Sequence, residues 1–243
     1  MRQFFYVYSA CVAMMVIIIN SRYMHSRISV FRLCFLFFCF IIFASSAFAR
    51  LQSEVEAFRL RPVPDSIFTL MQGRSYPQGC MVKRSDLRYV EVLHYDAQGR
   101  VKRGELVCHR SIAADLVSIF RELYKARYPI ESMRLIDRYG ADDERSMTAN
   151  NTSAFNYRHI AGTSRLSNHS WGRDIDVNPL YNPLVARGGT VVQPRAGRRW
   201  ANRSRKSPYR IVQGDLLYRL FRQHGFSWGG SWKKRKDYQH FEK

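Results

Sequence analysis

The clearest pattern of apolar and polar positions begins well inside the chain. Leu87 to Tyr95 alternates β-forming residues, Asp96-Ala97-Gln98-Gly99 supplies a turn, and Val101 to Cys108 returns in the same pattern. This predicts a β-hairpin. Ile112, Leu116, Ile119, Phe120 and Leu123 then recur at helical spacing, with Ser111 as the expected N-cap and Pro129 as the stop. Upstream, Glu54 to Leu60 reads as a short helix broken by Pro62 and Pro64. Downstream, Met133 to Ile136, Phe155 to Arg158 and Ile175 to Asn178 read as short strands, and Asp137 to Asn151 as a polar loop. Asn182 to Arg210 is rich in Gly, Pro, Arg and Ser and reads as a long basic loop. A helix is expected over Asp215 to His224, closed by Gly225, with Phe226 to Trp228 and Tyr238 to Glu242 as the last strands. No repeat or interdomain linker interrupts this order. The pattern predicts one α+β domain over residues 50–243, a small antiparallel sheet flanked by helices.

Residues 1–49 differ in kind. They hold four arginines and no acidic residue. From Met24 they read as a secretory signal: Arg27 and Arg32, an apolar core from Leu33 to Phe43, and Ala47-Phe48-Ala49 as a small-x-small cleavage site. That core falls short of the roughly 20 residues a bilayer-spanning helix needs. A second apolar run, Phe4 to Ile19, lies upstream. Either translation begins at Met24, or residues 1–23 build an N-terminal membrane anchor; the completeness of the pattern from Met24 favours the first. The expected location is outside the cytoplasm, periplasmic or at the cell wall. Bulky residues precede Cys34 and Cys39, so a lipid anchor is not expected.

Charge narrows the setting further. The net charge is +20, and residues 195–243 alone carry fourteen basic and three acidic side chains. Such a surface seeks a polyanion. For an exported chain, anionic wall polymers or a membrane surface fit better than nucleic acid, although a merely solvated basic face is the plain alternative. Cys80 and Cys108 remain after the signal. In an oxidising compartment they suggest a disulfide, worth roughly 3–4 kcal/mol in the chain-entropy picture. Two buried free thiols are the other reading.

The candidate chemistry lies in Ser167-Asn168-His169-Ser170-Trp171-Gly172-Arg173-Asp174-Ile175-Asp176 and in Asp237-Tyr238-Gln239-His240. His169 and Asp176 fit a loop leading into a strand, on which Asp174 and Asp176 share one face. Two carboxylates on one face repel unless a cation accompanies them. His169, Asp176 and His240 make a set of three ligands suited to a catalytic zinc, with Asp176 the ligand and Asp174 behind it or at the rim. Asp237 is left to move protons, as general base. A single histidine carries little weight, and His25, His94, His109, His159 and His224 receive no chemical role.

Together with Trp228-Gly229-Gly230-Ser231-Trp232 and the Ser146 to Arg158 segment, these motifs resemble the VanY-type D-alanyl-D-alanine carboxypeptidases, a family that includes L-alanyl-D-glutamate endopeptidases of phage lysins. The similarity covers most of residues 75–243. It implies a hedgehog/DD-peptidase-like fold, a Zn²⁺ held by His169, Asp176 and His240, Asp237 as general base, and an arginine that binds the polarised carbonyl oxygen or the substrate carboxylate, for which Arg158 is the candidate. Asp174 stands where relatives usually carry a small apolar residue, and the Arg-rich insert from Arg187 to Arg210 matches no family role. Ser167, Trp228 and Asp174 are the expected substrate contacts, although Trp228 and Trp232 could equally pack the wall of the metal loop.

The leading expectation is a zinc peptidase acting on peptidoglycan stem peptides, as a D-Ala-D-Ala carboxypeptidase before an endopeptidase. A non-catalytic wall-binding module is the competing class, and the spare carboxylate of Asp237 argues against it. A metal-dependent nuclease ranks last, since no phosphate-gripping loop is evident.

Overall fold

A computed structural model describes residues 35–43, 45, 56–160 and 162–243. Residues 35–43 are helical, within a first unit spanning Met1–Ser53. Among the described residues no helix is long and apolar enough to cross a membrane. The Phe4 to Ile19 run and the expected cleavage site lie outside the described residues.

The second unit, Glu54–Lys243, is α+β. Its first sheet is β1 (Arg59–Pro62), β2 (Leu87–Tyr95) and β3 (Val101–His109), in that order and antiparallel. The hairpin matches the sequence pattern. Its turn is tied by Asp96, whose carboxylate accepts from the backbone N–H groups of Gln98 and Arg100 and from Arg100 Nε at 2.7 Å. Of the expected helix at Glu54 to Leu60, the described residues show Glu56 and Ala57 as helical, while Arg59 and Leu60 pair with Glu91 and Val90 as strand.

Helix α1 (Asp65–Met71) covers one face of this sheet, where Met71, Leu87, Tyr89 and Val107 form a small core. Helix α2 (Arg110–Lys125) covers the other, burying Ile112, Leu116, Ile119, Phe120 and Leu123 against Val90, Val92 and Leu106. Its N-cap is His109 rather than Ser111: the His109 ring accepts from the Ser111 N–H, so the helix starts two residues earlier than expected.

The two cysteines lie in different cores. Cys108 belongs to the α2 side and is fully buried, its thiol pushed up to about 12 by burial. Cys80 packs against the α1 side. Both are free thiols, so the expected disulfide is not formed.

The region expected as loop and strand from Met133 to Arg158 is more finely divided. Strand β4 (Ser132–Met133) pairs in parallel with β5 (Asn151–Thr152), and helix α3 (Asp143–Thr148) stands between them, capped by Asp142. Phe155 to Arg158 is extended but forms no strand; its backbone bonds go to Val107, His169 and Ser75.

A second antiparallel sheet carries β6 (Asp174–Asp176), β11 (His240–Glu242) and β9 (Ser227–Trp228), in that order. Helix α4 (Leu216–Gln223), capped by the Asp215 side chain, packs behind it. Ile175, Phe241 and Trp228 point into the α2–α4 core, where Phe221 stacks on Phe241 at 4.3 Å between ring centroids. The opposite face of the sheet is polar.

The basic insert is not a loop. It folds into a hairpin of β7 (Leu184–Ala186) and β8 (Val191–Gln193), followed by a 3₁₀ segment, Arg195–Ala201. β7 pairs in turn with β10 (Lys236–Asp237), Leu184 opposite Asp237. Strands of two or three residues with mixed composition leave no periodicity to read.

Candidate metal centre

Three segments that are remote in sequence meet on the polar face of the β6–β11–β9 sheet. The register sets His240 opposite Asp176 and Glu242 opposite Asp174, so four titratable side chains project from one face of two short strands. His169 reaches the same place from a 3₁₀ turn, Asn168–Trp171. Gly172 closes that turn at φ +65°, and a Cβ there would lie 2.9 Å from the His109 nitrogen, so only glycine fits the approach.

The segment Ala154 to Arg158 runs beside this turn and fixes it. Asn156 N–H donates to the His169 carbonyl at 3.1 Å, and the Ser170 hydroxyl bonds both to Arg158 N–H and to its carbonyl. His169 Nδ1 is 2.7 Å from the Ala154 carbonyl. A carbonyl can only accept, so the proton is on Nδ1 and Nε2 presents a lone pair. That Nε2 lies 3.2 Å from Asp176 Oδ2, while Asp176 Oδ1 lies 3.0 Å from His240 Nδ1.

One ligand atom from each of His169, Asp176 and His240 falls within 4.8 Å of the others. Tetrahedral zinc with bonds near 2.0–2.1 Å requires ligand atoms about 3.4 Å apart. Two buried imidazoles and one half-buried carboxylate fit that group with small inward movement. The sequence-predicted ligands therefore converge.

The charges are balanced within the cluster. Burial works to raise the Asp176 carboxyl, but His169 and His240 outweigh it and hold the group well below its ordinary range. Burial likewise works against the charged forms of both histidines, and the facing Asp176 carboxylate raises them nonetheless. Asp174 is raised by burial.

Asp237 is 8% exposed, and its Oδ1 is buried with no hydrogen-bond partner. Burial pushes its carboxyl up to about 6. Its backbone is clamped from two directions, by β7 and by the Trp228-to-Trp232 turn. A Cβ on Gly229 would lie 2.7 Å from the Asp237 carbonyl oxygen, so the turn can pass only as glycine.

Arg158 is half-buried and ion-paired with Asp143 at the start of α3, and Asn156 Nδ2 donates to the same carboxylate at 2.9 Å. Asp143, Asn156, His169 and Asp176 line one small cavity, so the Asp143 partner of Arg158 stands at the candidate metal centre. Sequence reasoning missed Asp143, which has no periodic signal. It also missed Glu242, although strand alternation two residues after His240 was signal enough.

The expected substrate contacts need correction. Trp228 is core: it stacks with Phe241, its Nε1 donates to the Tyr238 carbonyl at 3.0 Å, and it cannot meet a substrate. Asp174 and Ser167 are also buried, Asp174 beside His240 and Ser167 at the base of the His169 turn. Trp232 is partly exposed, 5.4 Å from the His240 ring. A cavity of about 670 Å³ opens past Asp174 and Glu242, with Asn168, Trp171 and Arg173 on its walls. The remaining described histidines are structural or peripheral: His94 bonds the Ile130 carbonyl, His109 caps α2, His224 pairs with Asp115, and His159 is exposed.

Residues 161–243 match the family model described as D-alanyl-D-alanine carboxypeptidase. Comparison with curated proteins and with solved structures gave no match.

Proposed function

We propose that this chain, whose residues 161–243 match the family model described as D-alanyl-D-alanine carboxypeptidase, is a zinc-dependent peptidase of peptidoglycan stem peptides that removes the terminal D-alanine. The observation that carries the reading is the convergence of His169, Asp176 and His240 beside the buried, unpartnered Asp237 Oδ1.

A zinc ion held by those three side chains would act as a Lewis acid on the scissile carbonyl and would make water a nucleophile at neutral pH. The residues of the chain supply the rest. Asp237 accepts the proton of the attacking water at Oδ1 and returns it to the leaving amine. Its raised carboxyl suits both steps, since it is basic enough to take a proton and acidic enough to give it back. Arg158, held by Asp143, donates to the developing oxyanion. Asp143 holds that guanidinium at Nη2, Nη1 donates to the His159 carbonyl at 3.4 Å, and Nε is buried without a partner.

The insert supports a wall-associated setting. Arg203 is structural: it donates to the carbonyls of Tyr181 and Ile211, and burial pushes its guanidinium down to about 10. Arg195, Arg198, Arg199, Arg205 and Lys206 are exposed, and none of them forms an ion pair with a described carboxylate. An exported protein would use such a surface to stay on anionic wall polymers or a membrane surface.

The test is incubation of the zinc-loaded protein with muropeptides bearing complete pentapeptide stems, read by mass spectrometry. Loss of one terminal alanine, abolished by chelation and in Asp237→Ala, is the expected result. Internal cleavage would make it an endopeptidase. Intact peptides with stoichiometric zinc bound would overturn the peptidase reading in favour of a binding module.

A further inference from the structure

We infer that Asp174 and Glu242 brace the outer edge of the His240 ring, so that Nδ1 is the nitrogen offered to the metal; Asp174 is thereby a positioning residue of the centre. The inference rests on the zinc reading above and concerns how one ligand is held.

His240 has two differently furnished edges. Nδ1 faces Asp176 Oδ1 at 3.0 Å, inside the ligand cluster. Nε2 faces away from it, 3.8 Å from Asp174 Oδ2 and 3.6 Å from Glu242 Oε2. Nε2 and Asp174 Oδ2 are both buried, and neither has a hydrogen-bond partner. Both separations exceed hydrogen-bond length by roughly half an ångström, so a slight shift of the ring closes one of them.

The chemistry requires such an acceptor. An imidazole that ligates through one nitrogen keeps its proton on the other, and a buried N–H without an acceptor is costly. At His169 the backbone meets this need, through the Ala154 carbonyl. At His240 no carbonyl does so, and the two carboxylates are the groups within reach. The strand register puts them there, because Glu242 stands opposite Asp174 one step along from the His240–Asp176 pair. Asn168 Nδ2 donates to Glu242 Oε2 at 3.1 Å and so ties the brace to the turn that carries His169.

Asp174, His240 and Glu242 also bring ligand atoms within 4.8 Å of one another. A second cation there would need His240 to bridge two metals with no proton on either nitrogen. Brace and second metal therefore exclude each other, and stoichiometry separates them.

The experiment uses the full chain, labelled with ¹⁵N-histidine and loaded with zinc. Long-range ¹H–¹⁵N spectra should show His240 protonated at Nε2 and ligated at Nδ1, with one zinc per chain. In competition with a chromophoric chelator, Asp174→Ala should bind zinc ~10–100-fold more weakly, the usual effect of losing a group that orients a ligand. Asp174→Asn, which keeps an acceptor oxygen, should recover most of that loss, and Glu242→Gln should lose less than Asp174→Ala. Unchanged zinc affinity in Asp174→Ala, ligation through Nε2, or a second bound zinc would overturn the inference while leaving the zinc reading intact. A wild-type chain that takes no zinc would overturn both. The tautomer readout needs no variant, so it decides the matter even where Asp174→Ala does not fold.

Discussion

The β2–β3 hairpin and the β6–β11 pair are both antiparallel, and they differ in nearly every other respect. The hairpin joins nine residues to nine through a local turn. The second pair joins three residues to three, His240 and Asp176 being 64 positions apart. The hairpin buries apolar side chains and carries its ion pairs at the turn, as with Asp96, Arg100 and Lys102, and at mid-strand, where Glu91 meets Arg61. The β6–β11 pair buries His240, Asp174 and part of Asp176 on one face, and only its reverse, Ile175 and Phe241, is apolar. The hairpin is stabilised by its own sequence. The second pair is held from behind by the core, and its polar face gathers imidazoles and carboxylates whose donor atoms would suit a cation.

The largest effect expected from this difference is chemical. Asp237→Asn should keep zinc and fold while kcat falls by ~10²–10⁴, the usual contribution of a general base. His240→Ala should lose stoichiometric zinc and all peptide release, measured by metal analysis and mass spectrometry. Either variant that retained full activity would remove the polar face from the reaction and dissolve the contrast.

Next in size is a lesion on the apolar side. Phe120 is fully buried between the hairpin and α4. Phe120→Ala should cost about 3–5 kcal/mol in denaturant unfolding. Below the unfolding transition its zinc affinity should equal that of the wild type, because no ligand rests on that ring alone. A large drop in affinity would mean that the two regions are coupled more tightly than their separate cores suggest.

The pH dependence separates the regions more gently. In metal-free protein His169 and His240 are raised above their ordinary value, so their stabilisation is present in acid and is lost as pH rises through the raised values. Asp237, raised from 3.8 to about 6, has the same sign and loses its contribution between those values. Asp176 is lowered and acts oppositely, losing its contribution only in strong acid. Metal-free Tm should therefore fall as pH rises from 6 to 8. Zinc requires unprotonated ligands and binds more tightly as pH rises, so the Tm gain on adding it should widen over the same range. Thermal scans with and without chelator test this; a metal-free Tm that climbed steadily to pH 8 would contradict it.

What could be read in the sequence follows the same division. Hairpin, α2 and α4 were legible because local periodicity and turn chemistry specify them. The three side chains that converge, His169, Asp176 and His240, and Asp237 stand in the sequence as motifs, since the chemistry they suggest constrains their identity and spacing. Their surroundings do not. Asp143 reaches Arg158 through a helix that reads as a loop, and β7 reaches Asp237 from inside an Arg-rich insert. Trp228 was ambiguous because an aromatic beside glycines serves a core or a cleft equally well. The cysteines were misjudged because spacing says nothing of which side of β3 each one faces.

The smallest effect belongs to the rim of the hairpin. Arg61 on β1 pairs with Glu91 on β2 at 2.9 Å, with 46% and 28% of the two side chains exposed. Exposed pairs gain little, because water already solvates both charges and ordering two long side chains costs entropy. Arg61→Ala should lower stability by only about 0–1 kcal/mol, less still in high salt. It should leave zinc affinity and peptide release unchanged. The counterpart is Asp174→Ala, which also removes one charged side chain from a short strand, but burial beside His240 makes that loss a matter of metal affinity. If the two variants behaved alike, the distinction between a self-sufficient strand pair and one organised around a cation would fail.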